Sequence, residues 1–81
     1  MHHVITTPRQ AGEILRGRRK ARHLSQQDLA AKLGISQAHF STLEGDPAAF
    51  TLDRLIALAN LLGLELVLND RSDPASSGAE W

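Results

Sequence analysis

Apolar positions recur along most of this chain at helical spacing, and change to strict alternation only near residue 64. Thr7-Pro8-Arg9-Gln10 places a capping residue, a proline at the first helical position and a glutamine three residues after the cap. That combination predicts a helix from Pro8 to about Arg22. Its apolar stripe, Ala11, Ile14, Leu15 and Ala21, is modest, so the arginines between are expected largely on the exposed side. Ser25, with Asp28 three residues on, caps a second helix carrying Leu29, Ala30 and Leu33, and Gly34 supplies its left-handed stop. Ser36 caps a third short helix with Phe40 and Leu43, ended by the turn-forming run Glu44-Gly45-Asp46-Pro47. Thr51 caps a fourth, in which Leu52, Leu55, Ile56, Ala59 and Leu62 are read as one buried face and Gly63 as the stop.

Beyond Gly63, Leu64, Leu66 and Leu68 alternate with Glu65, Val67 and Asn69, the pattern of a half-buried strand over 64–69. Nothing else in the chain alternates this way, and a lone edge leaves backbone N–H and C=O groups unpaired. The simplest partner is the same strand of a second copy, with Leu64, Leu66 and Leu68 at the interface. Residues 70–81 are too polar to fold and read as a flexible tail that ends in Trp81; residues 1–6 read as a flexible lead. The expected architecture is all-α, with four to five helices over 7–63 and a C-terminal β-strand pairing across a homodimer.

With 81 residues the chain is one domain at most, of a size at which oligomerisation adds welcome stability. It has no cysteine, which removes disulfides and thiolate metal sites and leaves His2, His3, His23 and His39 as the soft ligands. His39 has no second ligand at a useful spacing, and His39 and Ser41, two apart on a helix, do not face each other as a nucleophile and its base would, with Asp46 as the third member. Neither a metal, a cofactor nor catalysis is expected. No apolar stretch approaches the ~20 residues needed to span a bilayer, and the N-terminus lacks the layout of a leader, so a cytoplasmic, nucleoid-associated protein is expected. The net charge is zero, which taken alone argues against a nucleic-acid partner. Its distribution alters that reading: residues 1–40 hold seven basic and two acidic side chains, and residues 41–81 two basic and seven acidic. One half can meet a phosphate backbone and the other a different partner.

Two short helices crossing near a right angle impose requirements at fixed offsets. Counting Gln26 as the first position, the fifth must be small and is Ala30, and the ninth must turn left-handed and is Gly34. Leu29, Leu33, Ile35, Phe40 and Leu43 occupy the core-facing positions. Every requirement of a helix-turn-helix is met, with recognition through the helix that begins at Ser36 and Gln37. Leu24-Ser25-Gln26-Gln27-Asp28-Leu29-Ala30-Ala31-Lys32-Leu33-Gly34-Ile35-Ser36-Gln37 resembles the phage-repressor and Cro class, over about residues 8–63. Within it, the run from Glu44 through Thr51-Leu52 to Leu64-Glu65-Leu66-Val67-Leu68, and the ending Glu80-Trp81, look most like the HipB-type antitoxins. That resemblance implies a repressor-type homodimer with an intermolecular two-stranded sheet, repression of its own operon, and neutralisation of a HipA-type kinase toxin. A free-standing phage-type repressor and a protein-interaction module without DNA binding remain as alternatives.

In this reading Gln37 presents an amide to adenine N6 and N7, while Ser36, Ala38, Ser41 and Thr42 offer hydroxyl or methyl contacts to base edges of an inverted-repeat operator. Gln26, at a helix N-terminus, holds a phosphate, as the resembling repressors imply, and Lys32 and Arg19 are further phosphate contacts. Trp81 is expected to anchor the tail on the toxin.

Overall fold

The computed structural model describes residues 2–71. It contains α1 (Pro8–Ala21), α2 (Gln26–Leu33), α3 (Gln37–Gly45), a 3-10 turn (Pro47–Ala49) and α4 (Leu52–Leu61). Each helix starts where a side-chain cap is available. Thr7 Oγ1 accepts from Gln10 N at 3.2 Å while Gln10 Oε1 accepts from Thr7 N at 3.3 Å, and Ser25 and Asp28 exchange the same pair of bonds at 3.0 Å. The hydroxyls of Ser36 and Thr51 accept from His39 N and Arg54 N. Gly34 and Gly63 both adopt φ +74°, and the following residue closes each helix, Ile35 N donating to Ala30 O at 3.0 Å and Leu64 N to Ala59 O at 2.8 Å. α1 ends in the same way without a glycine: His23 takes φ 57° and Leu24 N donates to Arg19 O.

Leu15, Leu29, Ala30, Phe40, Leu58 and Leu62 make the centre of the core, with Leu24, Leu33, Ile35, Phe50, Leu55, Leu61 and Leu64 packed around it. Ala30 is buried between α2 and the elements it crosses, as the close crossing requires. Gly12 is buried too, because α1 lies directly on the 3-10 turn and a Cβ there would collide with Pro47 Cγ.

Two expectations change, and the C-terminal strand is not seen in the single chain. The inward row of α4 is Leu55, Leu58, Ala59 and Leu62, whereas Leu52 and Ile56, read above as part of the buried face, are 67% and 42% exposed. One helical face spans only part of the circumference, and Leu58 completes it on the side away from Leu52. α3 continues through Glu44 to Gly45, so Glu44 belongs to the helix. Among the described residues no strand forms: Leu64 packs half-buried on its own core, and 65–71 lie exposed without a neighbouring strand in the chain. The expected tail falls mostly, and Trp81 wholly, outside the described residues.

Candidate nucleic-acid interface

α2, the turn at Gly34-Ile35 and α3 form the crossed pair anticipated from the residue offsets. α3 buries Phe40, Leu43 and Glu44, so Gln37, Ala38, Ser41 and Thr42 come together on its opposite, exposed side, with Ser36 at its cap. The helix is held by burial on one face only, which leaves the other free to enter a groove. The Ser36 hydroxyl accepts from the backbone and keeps its proton for a donor role. Thr42 Oγ1 donates to Ala38 O at 3.1 Å, so it presents a methyl group and acceptor lone pairs outward, with its proton already committed.

Gln26 stands at the first position of α2, where the backbone N–H groups of the first turn point outward. Its Nε2 donates to Glu44 Oε1 at 2.8 Å, which fixes the amide and leaves one N–H free. Lys32 is exposed in the last turn of α2.

Arg19 is placed differently from its expected role as a phosphate contact. Its side chain is 11% exposed, and its Nε and Nη2 donate to Glu44 Oε2 and Oε1 at 2.7 and 3.1 Å while Nη1 donates to Leu24 O at 2.9 Å. Such a guanidinium is committed to the fold. Other arginines of the run touch the fold but stay more open: Arg16 Nε, on a side chain 48% exposed, lies 3.7 Å from Glu44 Oε1, Arg18 Nε donates to Leu62 O at 3.0 Å, and the exposed Arg22 has its guanidinium over Gly63, while Lys20 is exposed. Arg18 and Arg22 thus sit at the carbonyl end of α4, where the helix dipole favours cations. Of the basic face expected to be solvated, Arg18 and Arg19 are instead drawn into the fold, whereas Arg16, Lys20 and Arg22 remain exposed.

Glu44, not singled out in the sequence as a site residue, is the hub of this network. Burial pushes its carboxyl up, but hydrogen bonds from Arg19 and Gln26 and the charges of Arg19 and Arg16 outweigh that and hold it below the usual glutamate value. One signal was available: Phe40, Leu43 and Glu44 follow the spacing of a buried stripe, which sets an acid against an arginine-rich helix. Every buried side-chain nitrogen and oxygen described has a partner. Among the described residues no three His, Cys, Asp or Glu side chains converge as metal ligands would, and no helix is long and apolar enough to cross a membrane.

The motif and its packing define a helix-turn-helix domain of the DNA-binding regulator class. The helix-turn-helix family model matches residues 15–69, and the chain belongs to that family. It is 39% identical over 54 residues to an uncharacterized HTH-type transcriptional regulator, y4dL, of Sinorhizobium fredii, a match spanning 67% of this chain and 28% of that protein. It is 36% identical over 53 residues to the ImmF control region 10 kDa protein of Bacillus phage phi105, spanning 62% of this chain and 59% of that one. The chain therefore covers less than two thirds of the length of each of these relatives. Among solved structures it resembles a HipB variant in complex with an O2 20mer, at TM-score 0.77 and 30% identity over 86% of this chain and 97% of that one. A second HipB structure, the O1-O2 complex, matches at TM-score 0.76 and 30% identity, over 85% and 100% of the two chains.

Proposed function

We propose that the chain is a HipB-type antitoxin: a homodimer that binds an inverted-repeat operator, represses its own operon and neutralises a HipA-type kinase toxin. The observation that carries the DNA-binding part is the exposed row Gln37, Ala38, Ser41 and Thr42, on a helix whose other side is buried, in a fold like that of HipB in its complexes. Gln37 reads adenine, and Ser36, Ala38, Ser41 and Thr42 contact neighbouring base edges. Gln26 and Lys32 hold phosphates, whereas Arg19 acts through Glu44 to hold Gln26 in place. Leu66 and Leu68, with a lesser share from the half-buried Leu64, pair the two copies. Trp81 docks on the kinase, and the protein works in the cytoplasm at the nucleoid.

A titration against DNA from upstream of its gene, repeated across salt concentrations, tests DNA binding. Lys32 is an exposed cation on the motif itself. Lys32→Ala is expected to flatten the salt slope by about 2 per dimer, at about 0.9 per lost phosphate contact. An unchanged slope contradicts that role. Co-purification with the product of the neighbouring gene tests the antitoxin part, and truncation after Arg71 is expected to weaken kinase binding without changing operator affinity.

A second reading, a free-standing phage-type repressor, is favoured by the likeness to the phi105 control-region protein. A gene neighbourhood without a kinase, together with full operator binding by the chain alone, supports it over the first. A protein-interaction module without DNA binding requires no salt-dependent affinity for any duplex.

A further inference from the structure

Glu44 Oε1 carries more than its pairing with Arg19. It accepts from Gln26 Nε2 at 2.8 Å and faces Arg16 Nε at 3.7 Å. The two nitrogens are therefore no further apart than those distances laid end to end, although Arg16 belongs to α1 and Gln26 to α2. One carboxylate oxygen thus sets an arginine beside the residue read above as holding a phosphate.

The charges at this point do not cancel. Arg19 takes both Glu44 oxygens through parallel donors and is 11% exposed, so one buried guanidinium already matches the carboxylate. Arg16 is a second cation on the same anion. At 3.7 Å its Nε is beyond hydrogen-bond reach, its side chain is 48% exposed, and it makes no hydrogen bond among the described residues, so its donors stay available. The cluster therefore shows solvent a net positive charge, and shows it through Arg16, next to the free N–H of Gln26. A planar fork of donors with a neighbouring amide N–H suits the oxygens of a phosphodiester.

We infer that Arg16 is a DNA phosphate contact, acting at the same phosphate as Gln26 or at the next one along the strand, with Glu44 as their common anchor. This rests on the DNA-binding reading, and the test separates the two. The full chain is titrated across salt concentrations against a duplex from upstream of its gene and a scrambled duplex of equal length, as wild type, Arg16→Gln, Arg16→Lys and the control Arg9→Gln. Arg9 lies about two turns earlier on α1, where it faces Glu13 at 3.6 Å. A phosphate contact reads no sequence, so Arg16→Gln should weaken both duplexes by the same factor and lower the salt slope by about 0.9 for each bound subunit. Arg16→Lys should keep the slope, and Arg9→Gln should match the wild type. An unchanged slope in Arg16→Gln, a loss confined to the upstream duplex, or an equal loss in Arg9→Gln overturns the inference.

Because replacing Arg16 can also disturb Glu44, the wild type provides a second readout by nuclear magnetic resonance. The Arg16 Nε–H and Gln26 side-chain amide signals should shift together on adding the scrambled duplex, while the Arg9 Nε–H signal stays in place. A shift of Gln26 without Arg16 overturns this inference and leaves DNA binding standing. No shift of either, with no salt-dependent affinity for either duplex, overturns both. Equal shifts with inorganic phosphate at the same phosphate concentration mark a free-anion site and overturn the inference as well.

Discussion

Arg19 grips Glu44 with two parallel hydrogen bonds, 2.7 and 3.1 Å long, across the junction of α1 and α3, and both side chains are almost entirely withdrawn from solvent. A buried pair of this kind is costly to break from one side, because the remaining charge stays in a poor solvent. Arg19→Ala is expected to lower unfolding free energy by about 3 to 5 kcal/mol in urea titrations. A loss under about 1 kcal/mol, the range of exposed pairs, contradicts the arrangement.

The same carboxylate makes stability depend on acid. Glu44 binds its proton less readily folded than unfolded, so its contribution is fully present above the free-carboxylate value of about 4.3 and is lost as pH falls through the lower folded value. Asp28, held low by bonds from Ser25 at the α2 cap, shifts in the same direction but is fully exposed. Thermal melts between pH 7 and 3 should show a steeper acid loss for the wild type than for Glu44→Gln. Parallel curves contradict the assignment.

Gly12 has no room for a side chain against Pro47. Alanine, ordinarily the better helix former, should here destabilise by about 1 to 3 kcal/mol, since α1 and the 3-10 turn must move apart. The denaturant midpoint reads this directly, and a gain in stability rules out the close approach.

His23 ends α1 in the left-handed region that glycine occupies without steric cost. His23→Gly should raise stability by about 0.5 to 1 kcal/mol, the relief of the Cβ clash less the added freedom of the unfolded chain. A lowered melting temperature contradicts this.

The helix starts, the two glycine stops and the α2–α3 crossing were legible because each depends on local chemistry: a hydroxyl at the right offset, a glycine at φ +74°, an alanine where two helices touch. His23 was not legible as a stop because histidine carries no strong local signal for positive φ. The destination of the α1 arginines was hidden for another reason. Their partners, Glu44, Leu62 and Gly63, lie 25 or more residues away, and net charge counts a paired guanidinium like a free one. Leu52 and Ile56 were taken for core because hydrophobicity alone does not say whether an apolar side chain faces its own domain or another surface.

The central claim, that α3 reads bases through Gln37, is tested most directly by comparing Gln37→Ala with the wild type on the operator and on a scrambled duplex of equal length at one salt concentration. Gln37 is exposed and makes no side-chain hydrogen bond among the described residues, so the fold should be untouched. The account predicts an operator affinity lower by about 1 to 3 kcal/mol with scrambled-duplex affinity unchanged. Equal losses on the two duplexes, or none on either, would contradict it.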